Sequence, residues 1–407
     1  MSGAGKPFTQ PHRYHQHRRP ELQFPDRTER MTVRNIFFSA ILLAATLVGR
    51  SQPVPDSTSR DQALHRVELG VQALQRWYVP GTGLYRTTGW WNSANAITAI
   101  IDSMRASGSR QYLATLANTY IQAQISVPNA QEVDSTKPMT GFPGFLNNYY
   151  DDEGWWALAW IDAYDLTRDT RYLASARSIF DDMAGGWDGT CRGGIWWSKD
   201  RTYKNAIANE LFFSVAAHLA MRSATGRQQY ADWAAKEWIW FRGSGMINDG
   251  HLVNDGLVVD KNSGKCRNNG KTVWTYNQGV LIGALAEWSR SPGNSADLEE
   301  ARKIVDASLR SLTDKDGILH EACEPDCGAD GVQFKGIFMR NLRELDAVAP
   351  DLRYRTMFAK NADSIWRKDQ APGNMFGTVW SGPPLSPDAG SQSSAVEALV
   401  AAIEERK

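Results

Sequence analysis

The sequence predicts an all-α protein, a closed (α/α)6 barrel of six helical hairpins in one domain, and three observations lead there. From about residue 58, apolar residues recur at three- and four-residue spacing in about twelve stretches. These start near residues 59, 92, 110, 153, 171, 204, 226, 276, 295, 335, 352 and 392. Short turns followed by a Tyr-led helix recur in SGSRQYL, TRDTRYL and TGRQQYA, which place Tyr112, Tyr172 and Tyr230 at intervals of 60 and 58 residues. Long aromatic, Gly-rich connections alternate with short ones and so gather on one face. About 350 residues at that period make six hairpins, a count that suits a closed ring better than an open solenoid.

Taken in order, residues 1–51 stand apart from the domain at 52–407. Residues 1–30 are rich in Pro, His and Arg without apolar periodicity, which predicts disorder. His12, His15 and His17 are read as part of that leader rather than as a metal tract. Then MTVRNIFFSAILLAATLVGRS supplies a positive Arg34, an apolar run from Ile36 to Gly49 and a small-x-small end at Gly49-Arg50-Ser51. This is the pattern of a secretory signal. The run is short for a membrane span, so a single-pass anchor is the weaker reading and no stable membrane insertion is expected after its removal. Met31 is placed as a translation start would be.

The 407 residues carry no formal net charge, which argues against a nucleic-acid partner. Residues 1–50 hold eight Lys/Arg and three Asp/Glu; without them the net is about −5. That mild acidity suits a secreted protein acting on a neutral substrate. Four cysteines, Cys191, Cys266, Cys323 and Cys327, read as two disulfides with three connectivities open. Cys323 and Cys327 are close enough to close a small loop, leaving Cys191 with Cys266. The two CxxC knuckles of a zinc site are absent.

Sixteen Trp are many for this length, and flat apolar faces beside polar residues are what a sugar ring stacks on. The segment NNYYDDEGWWALAW, Asn147 to Trp160, concentrates the chemistry. Asp151 and Asp152 stand where an aromatic loop enters a nearly all-apolar helix. Capping the helix is one reading of an Asp-Asp pair there. The other is glycosidic-bond cleavage, which needs one carboxylic acid and one carboxylate. Tyr149 and Tyr150 precede the pair, and Trp155 and Trp156 follow one turn on, on the same side. Two carboxylates among large aromatics repel, which raises one pKa and provides a proton donor. Adjacent residues can hold their carboxyls roughly 5 Å apart, the spacing of a retaining mechanism.

This segment resembles the signature of glycoside hydrolase family 76, the endo-α-1,6-mannanases and their fungal cell-wall relatives. GWWNSANAI, GGIWW, YKNAIANELFF, WTYNQGVLIGA and FKGIFMRNL resemble further family blocks in family order. The resemblance implies an (α/α)6 barrel, retaining hydrolysis of α-1,6-linked mannan, Asp151 as nucleophile and Asp152 as acid/base. No metal or organic cofactor is implied.

The other blocks supply candidate sugar contacts: Trp90, Trp91, Asn92 and Asn95 at the start of one inner helix; Trp196, beside Trp197, in a long loop; and Asn205 on a helix it shares with Asn209 and Glu210. Tyr276, Asn277 and Gln278 begin another inner helix, and Phe338 and Arg340 lie on a third. Each has a structural reading beside the functional one, as a cap, a buried polar partner or core. Arg340 could instead hold a carboxylate in place. His218 and His320 are read as structural.

The expected protein is a secreted, monomeric endo-glycosidase acting on α-1,6-linked mannan or mannoprotein polysaccharide. The alternatives are a cell-wall mannan transglycosidase and a non-catalytic carbohydrate-binding protein. Unsaturated glucuronyl hydrolases and sugar epimerases share the barrel, but want a basic cleft or catalytic histidines.

Overall fold

A computed structural model describes residues 59–403 except 127–131, 135–136, 139 and 261–263. The leader and signal segment lie outside the described residues. Thirteen α-helices are present among them: α1 (Arg60–Leu74), α2 (Trp90–Ser107), α3 (Leu113–Gln122), α4 (Tyr150–Thr167), α5 (Thr170–Ala184), α6 (Ala206–Arg222) and α7 (Arg227–Gly243). There follow α8 (Thr275–Trp288), α9 (Leu298–Ser311), the single turn α10 (Gly328–Gly331), α11 (Phe334–Val348), α12 (Leu352–Lys368) and α13 (Ala389–Ala401). Without α10 they are the twelve the periodicity predicts. None of the described helices is long and apolar enough to cross a membrane.

Six of them form a closed inner ring. α2 packs on α4, α4 on α6, α6 on α8, α8 on α11, α11 on α13, and α13 returns to α2. The others lie outside, as α5 does on α4, α7 on α6, α9 on α8 and α1 on α13. Burial follows position. α6 is buried without a break from Ala206 to Ala220, and α13 from Ala389 to Ala401. The outer α9 buries only Leu298, Ala301, Ile304, Val305, Ala307 and Ser308, a single stripe at three- and four-residue spacing. The three repeated tyrosines, Tyr112, Tyr172 and Tyr230, are buried at the starts of α3, α5 and α7.

Ring helices with apolar residues on every side can approach until backbones touch, and glycine sets the limit. A Cβ on Gly279 of α8 would stand 2.6 Å from Phe338 Cα on α11, and one on Gly336 of α11 would stand 2.5 Å from Ser394 Cα on α13.

The long connections all precede inner helices and so share one end of the ring. They carry four short antiparallel ribbons: β1 (Tyr78–Val79) with β2 (Leu84–Tyr85), β3 (Glu132–Asp134) with β4 (Lys137–Pro138), β5 (Leu257–Val259) with β6 (Cys266–Asn268), and β7 (Gln370–Ala371) with β8 (Met375–Phe376). Two disulfides form, Cys191–Cys266 and Cys323–Cys327. The first ties the α5–α6 connection to β6 across 75 residues. Closing a loop of that size removes roughly 4 kcal/mol of conformational entropy from the unfolded chain.

Candidate active site

The end of the ring that gathers the long connections opens into a cleft of about 560 Å³. It is lined by Trp91, Tyr149, Asp151, Asp152, Trp155, Trp197, Tyr203, Asn205, Asp255, Tyr276, Asp330 and Phe334. Four carboxylates and seven aromatic rings therefore face one space, with no Lys or Arg on its walls among the described residues.

Asp151 and Asp152 occupy the first turn of α4, whose N-cap residue Tyr149 makes no side-chain cap. The positive end of the helix dipole favours carboxylates there. The Trp197 indole Nε1–H donates to Asp151 Oδ2 at 3.0 Å, and Asn147 Nδ2 donates to Asp152 Oδ2 at 2.7 Å. Burial among the rings, and then the charge of Asp152, hold the Asp151 carboxyl well above the usual carboxylate range. Such a pair retains a proton at a pH where an exposed carboxylate has lost it.

Next along the helix, Glu153 faces away from the cleft and is fully buried. Its Oε1 accepts from the Asn147 backbone N–H at 2.8 Å and from Lys199 Nζ at 2.9 Å. It thereby fixes the segment that carries Asn147. Burial pushes its carboxyl up to about 8.

One wall is a run of rings. Trp91 stacks on Trp155 with centroids 5.6 Å apart, Trp155 on Tyr276 at 6.4 Å and Tyr276 on Phe334 at 3.8 Å. Trp91 also donates its indole N–H to Asp330 Oδ1 at 3.1 Å. The facing side holds Tyr149 against Trp197, centroids 5.0 Å apart. There Tyr203 donates its hydroxyl to Asp255 Oδ2 and accepts from Asn269 Nδ2 at 2.8 Å. Burial, followed by the charges of Asp255 and Asp151, pushes the Tyr276 phenol well up, so it stays a hydrogen-bond donor.

Of the residues singled out from sequence, the cleft brings together Asp151, Asp152, Trp91, Tyr149, Trp155, Asn205 and Tyr276. Asn205 combines both readings: it lines the cleft and caps α6, its Oδ1 accepting from Ala208 N–H.

Others belong elsewhere, and helix geometry explains why. Neighbouring helical residues point about 100° apart, so one of two adjacent tryptophans faces the cleft and the other the protein. Trp90 is core, donating to Ala123 O at 3.3 Å. Trp156, expected beside Trp155 over the pair, is fully buried and stacks on Trp160. In the α5–α6 loop Trp196 is buried and bonded to Asp188 at 2.7 Å, while Trp197 reaches the cleft.

Asn92 caps α2 by accepting from Gly89 N–H. Asn95 and Arg340 bond to one another inside the ring, and Arg340 also pairs with Glu397. Asn277 and Phe338 are fully buried. Gln278 staples the Val253 backbone through both its N–H and its C=O. His218 bonds to Ser214 O on its own helix, and His320 sits between Glu324 and Asp314.

Sequence reasoning considered Trp196 and Trp197 together and chose Trp196, and it missed Tyr203, Asp255, Asp330 and Phe334. Tyr203 stood in the quoted YKNAIANELFF block and Phe334 in FKGIFMRNL. Asp255 lies in a loop and Asp330 in the single turn α10, and neither has a local pattern to mark it.

A ring of six helical hairpins with paired carboxylates in an aromatic cleft defines an (α/α)6 barrel protein. The profile of glycosyl hydrolase family 76 matches residues 73–407, and the chain belongs to that family. Among relatives, it is 30% identical to the mannan endo-1,6-alpha-mannosidase DCW1 of Saccharomyces cerevisiae, over 61% of this chain and 59% of that protein. The chain spans about three fifths of the length of such curated relatives.

Among solved structures, the α-1,6-mannanase GH76A of Salegentibacter sp. HEL1_6 is similar at TM-score 0.71 and 22% identity, over 84% of this chain and 99% of that one. That structure is an inactive variant, with asparagine at two consecutive aspartates, in complex with α-1,6-mannotriose. Dfg5 from Chaetomium thermophilum in complex with glucosamine is similar at TM-score 0.70 and 24% identity, over 86% and 92%. Both likenesses support the barrel fold.

Proposed function

We propose that the protein is a secreted retaining endo-glycosidase that hydrolyses α-1,6-mannosidic bonds within mannan. The observation that carries this reading is the adjacent pair Asp151 and Asp152 at the floor of a cleft walled by Trp91, Trp155, Tyr276 and Trp197. A helix cap alone requires neither two carboxylates nor aromatic walls on both sides.

In the first step the Asp151 carboxylate attacks the anomeric carbon. An ester C–O bond forms as the glycosidic C–O bond breaks, and Asp152 gives its proton to the departing oxygen. In the second, water attacks the same carbon and passes a proton to the Asp152 carboxylate. The ester breaks and the pair returns to its starting state. The raised Asp151 carboxyl fits a pair that carries one proton between its members, as this cycle needs.

The substrate is supported by relatives named as mannan endo-1,6-alpha-mannosidases and by the mannotriose complex of the Salegentibacter enzyme. The inactive variant of that enzyme is altered at a consecutive aspartate pair, as Asp151 and Asp152 are here. Secretion is supported by the signal-like segment and the two disulfides.

The test is incubation of the protein, and of Asp151→Asn and Asp152→Asn variants, with linear α-1,6-mannan, following product size and anomer. Shorter chains with retained α configuration are expected, with both variants down at least roughly 10³-fold. Full activity in either variant overturns the assignment. Products longer than the starting chains would mean that a sugar hydroxyl replaces water, making the enzyme a transglycosidase.

A further inference from the structure

Trp197 is bound to the candidate nucleophile's helix in two independent ways. Its indole N–H donates to Asp151 Oδ2 at 3.0 Å. Its backbone C=O accepts from Tyr150 N–H at 2.9 Å, satisfying an amide at the open start of α4. The Trp197 backbone N–H in turn donates to Tyr203 O at 2.8 Å.

The loop behind it is rigidly held. Lys204 is fully buried, and its Nζ donates to Asp188 Oδ1 at 2.9 Å and to the carbonyls of Thr190, Gly193 and Gly194 at 2.9, 2.7 and 2.8 Å. The Cys191–Cys266 disulfide anchors the same loop from its other side. The Trp197 ring is flanked by Tyr149 and Tyr203, at centroid distances of 5.0 and 6.4 Å. Asp151 Oδ1 has no hydrogen-bond partner among the described residues, so the indole is the side-chain donor that orients this carboxyl.

Each aspartate therefore has a side-chain donor of its own. An indole N–H is a donor only and can never accept a proton from Asp151. Asn147 likewise donates its Nδ2–H to Asp152 Oδ2 at 2.7 Å, while its own Oδ1 accepts from Tyr149 N–H at 2.8 Å. A carboxyl whose side-chain partner can only donate is held as an acceptor.

Resting on the double-displacement reading above, we infer that Trp197 is a positioning residue that fixes Asp151 as the hydrogen-bond-accepting carboxylate aimed at the sugar. Donation from the indole lowers the Asp151 carboxyl against the upward push of burial and of Asp152.

The experiment is Trp197→Phe, which keeps a ring between Tyr149 and Tyr203 and removes the N–H. As a second variant that preserves the full shape, benzothienylalanine at position 197 replaces the N–H with sulfur. Two readouts apply to each. The first is a ¹³C NMR titration of aspartate carboxyl carbons, with the Asp151 signal assigned by its loss in Asp151→Asn. The midpoint is expected to rise by about one pH unit, the size of effect of a hydrogen bond to a charged group.

The second is the pH profile on α-1,6-mannan. A kcat lower by roughly 10- to 100-fold is expected, with KM within about threefold and the acidic limb displaced upward. An unmoved midpoint in the shape-preserving variant overturns the proposal, as does a loss confined to KM. A raised midpoint in an enzyme that leaves mannan intact supports the positioning role and overturns the substrate reading.

Discussion

Arg340 and Glu397 face one another inside the ring, Nη1 to Oε1 at 2.9 Å, with Asn95 Oδ1 taking the other guanidinium nitrogen at 2.8 Å. Arg340 and Glu397 are both buried, on α11 and α13, and Asn95 adds α2 to the contact. The arginine thus joins three inner helices where the ring closes. Arg340→Leu strands the Glu397 carboxylate, and denaturant unfolding should show a loss of about 3–5 kcal/mol. The KM of the residual folded enzyme should be unchanged, because the side chain does not reach the cleft. A KM raised tenfold without loss of stability would return Arg340 to the sugar site.

Trp155 and Trp156 separate binding from packing within one dipeptide. Trp155→Ala removes the middle ring of the wall between Trp91 and Tyr276. KM on mannan oligosaccharides should rise about 3- to 10-fold, the worth of one aromatic contact. Trp156→Ala opens the core beside Trp160 and Phe145, at roughly 3–5 kcal/mol of stability with little change in KM. Isothermal denaturant unfolding alongside initial rates distinguishes the two patterns.

Gly279→Ala tests how closely the ring is packed. The added methyl group would lie 2.6 Å from Phe338 Cα, a backbone atom that cannot swing aside. A loss of about 1–3 kcal/mol is expected from chemical unfolding. A neutral outcome would mean that α8 and α11 can part without penalty.

Asp369 gives a pH dependence whose sign can be worked out. It is fully buried, and burial pushes its carboxyl up to about 7 from an ordinary 3.8. Between those values the folded protein holds a proton that the unfolded chain releases. This group's contribution to stability is complete below about pH 4 and is lost as pH rises toward 7. Asp369→Asn removes that loss, so its melting temperature should fall less than the parent's between pH 4 and pH 8. Parallel pH curves for the two proteins would refute the assignment.

The ring was legible in the sequence because inner and outer helices leave different marks. Trp155–Ile161 reads as apolar all round, whereas the outer helix Leu298–Ser311 buries only a stripe. The aspartate pair was legible because two carboxylates at a helix start among aromatics form an uncommon local pattern. What was not legible is the rotation of each helix about its own axis.

That rotation decides between Trp90 and Trp91, and between Tyr276 and its neighbours Asn277 and Gln278, and it depends on contacts hundreds of residues away. Asn92 shows this, meeting Gln333 at 3.0 Å across 241 positions. The carboxylates of Asp255 and Asp330 were invisible for a related reason. They enter the cleft by the folding of long connections, which carry no periodicity.

The return of α13 to α2 also sets an order of events. Trp91, near the start of the domain, is bonded to Asp330, 239 positions later. Asp151 and Asp152 leave the ribosome well before that partner exists. An emerging chain therefore carries its acidic pair for most of synthesis without the far wall of the cleft, and the ring stays open until α13 has been made. The closed cleft is thus a property of the whole ring, completed by α13 rather than by the segment that bears the acids.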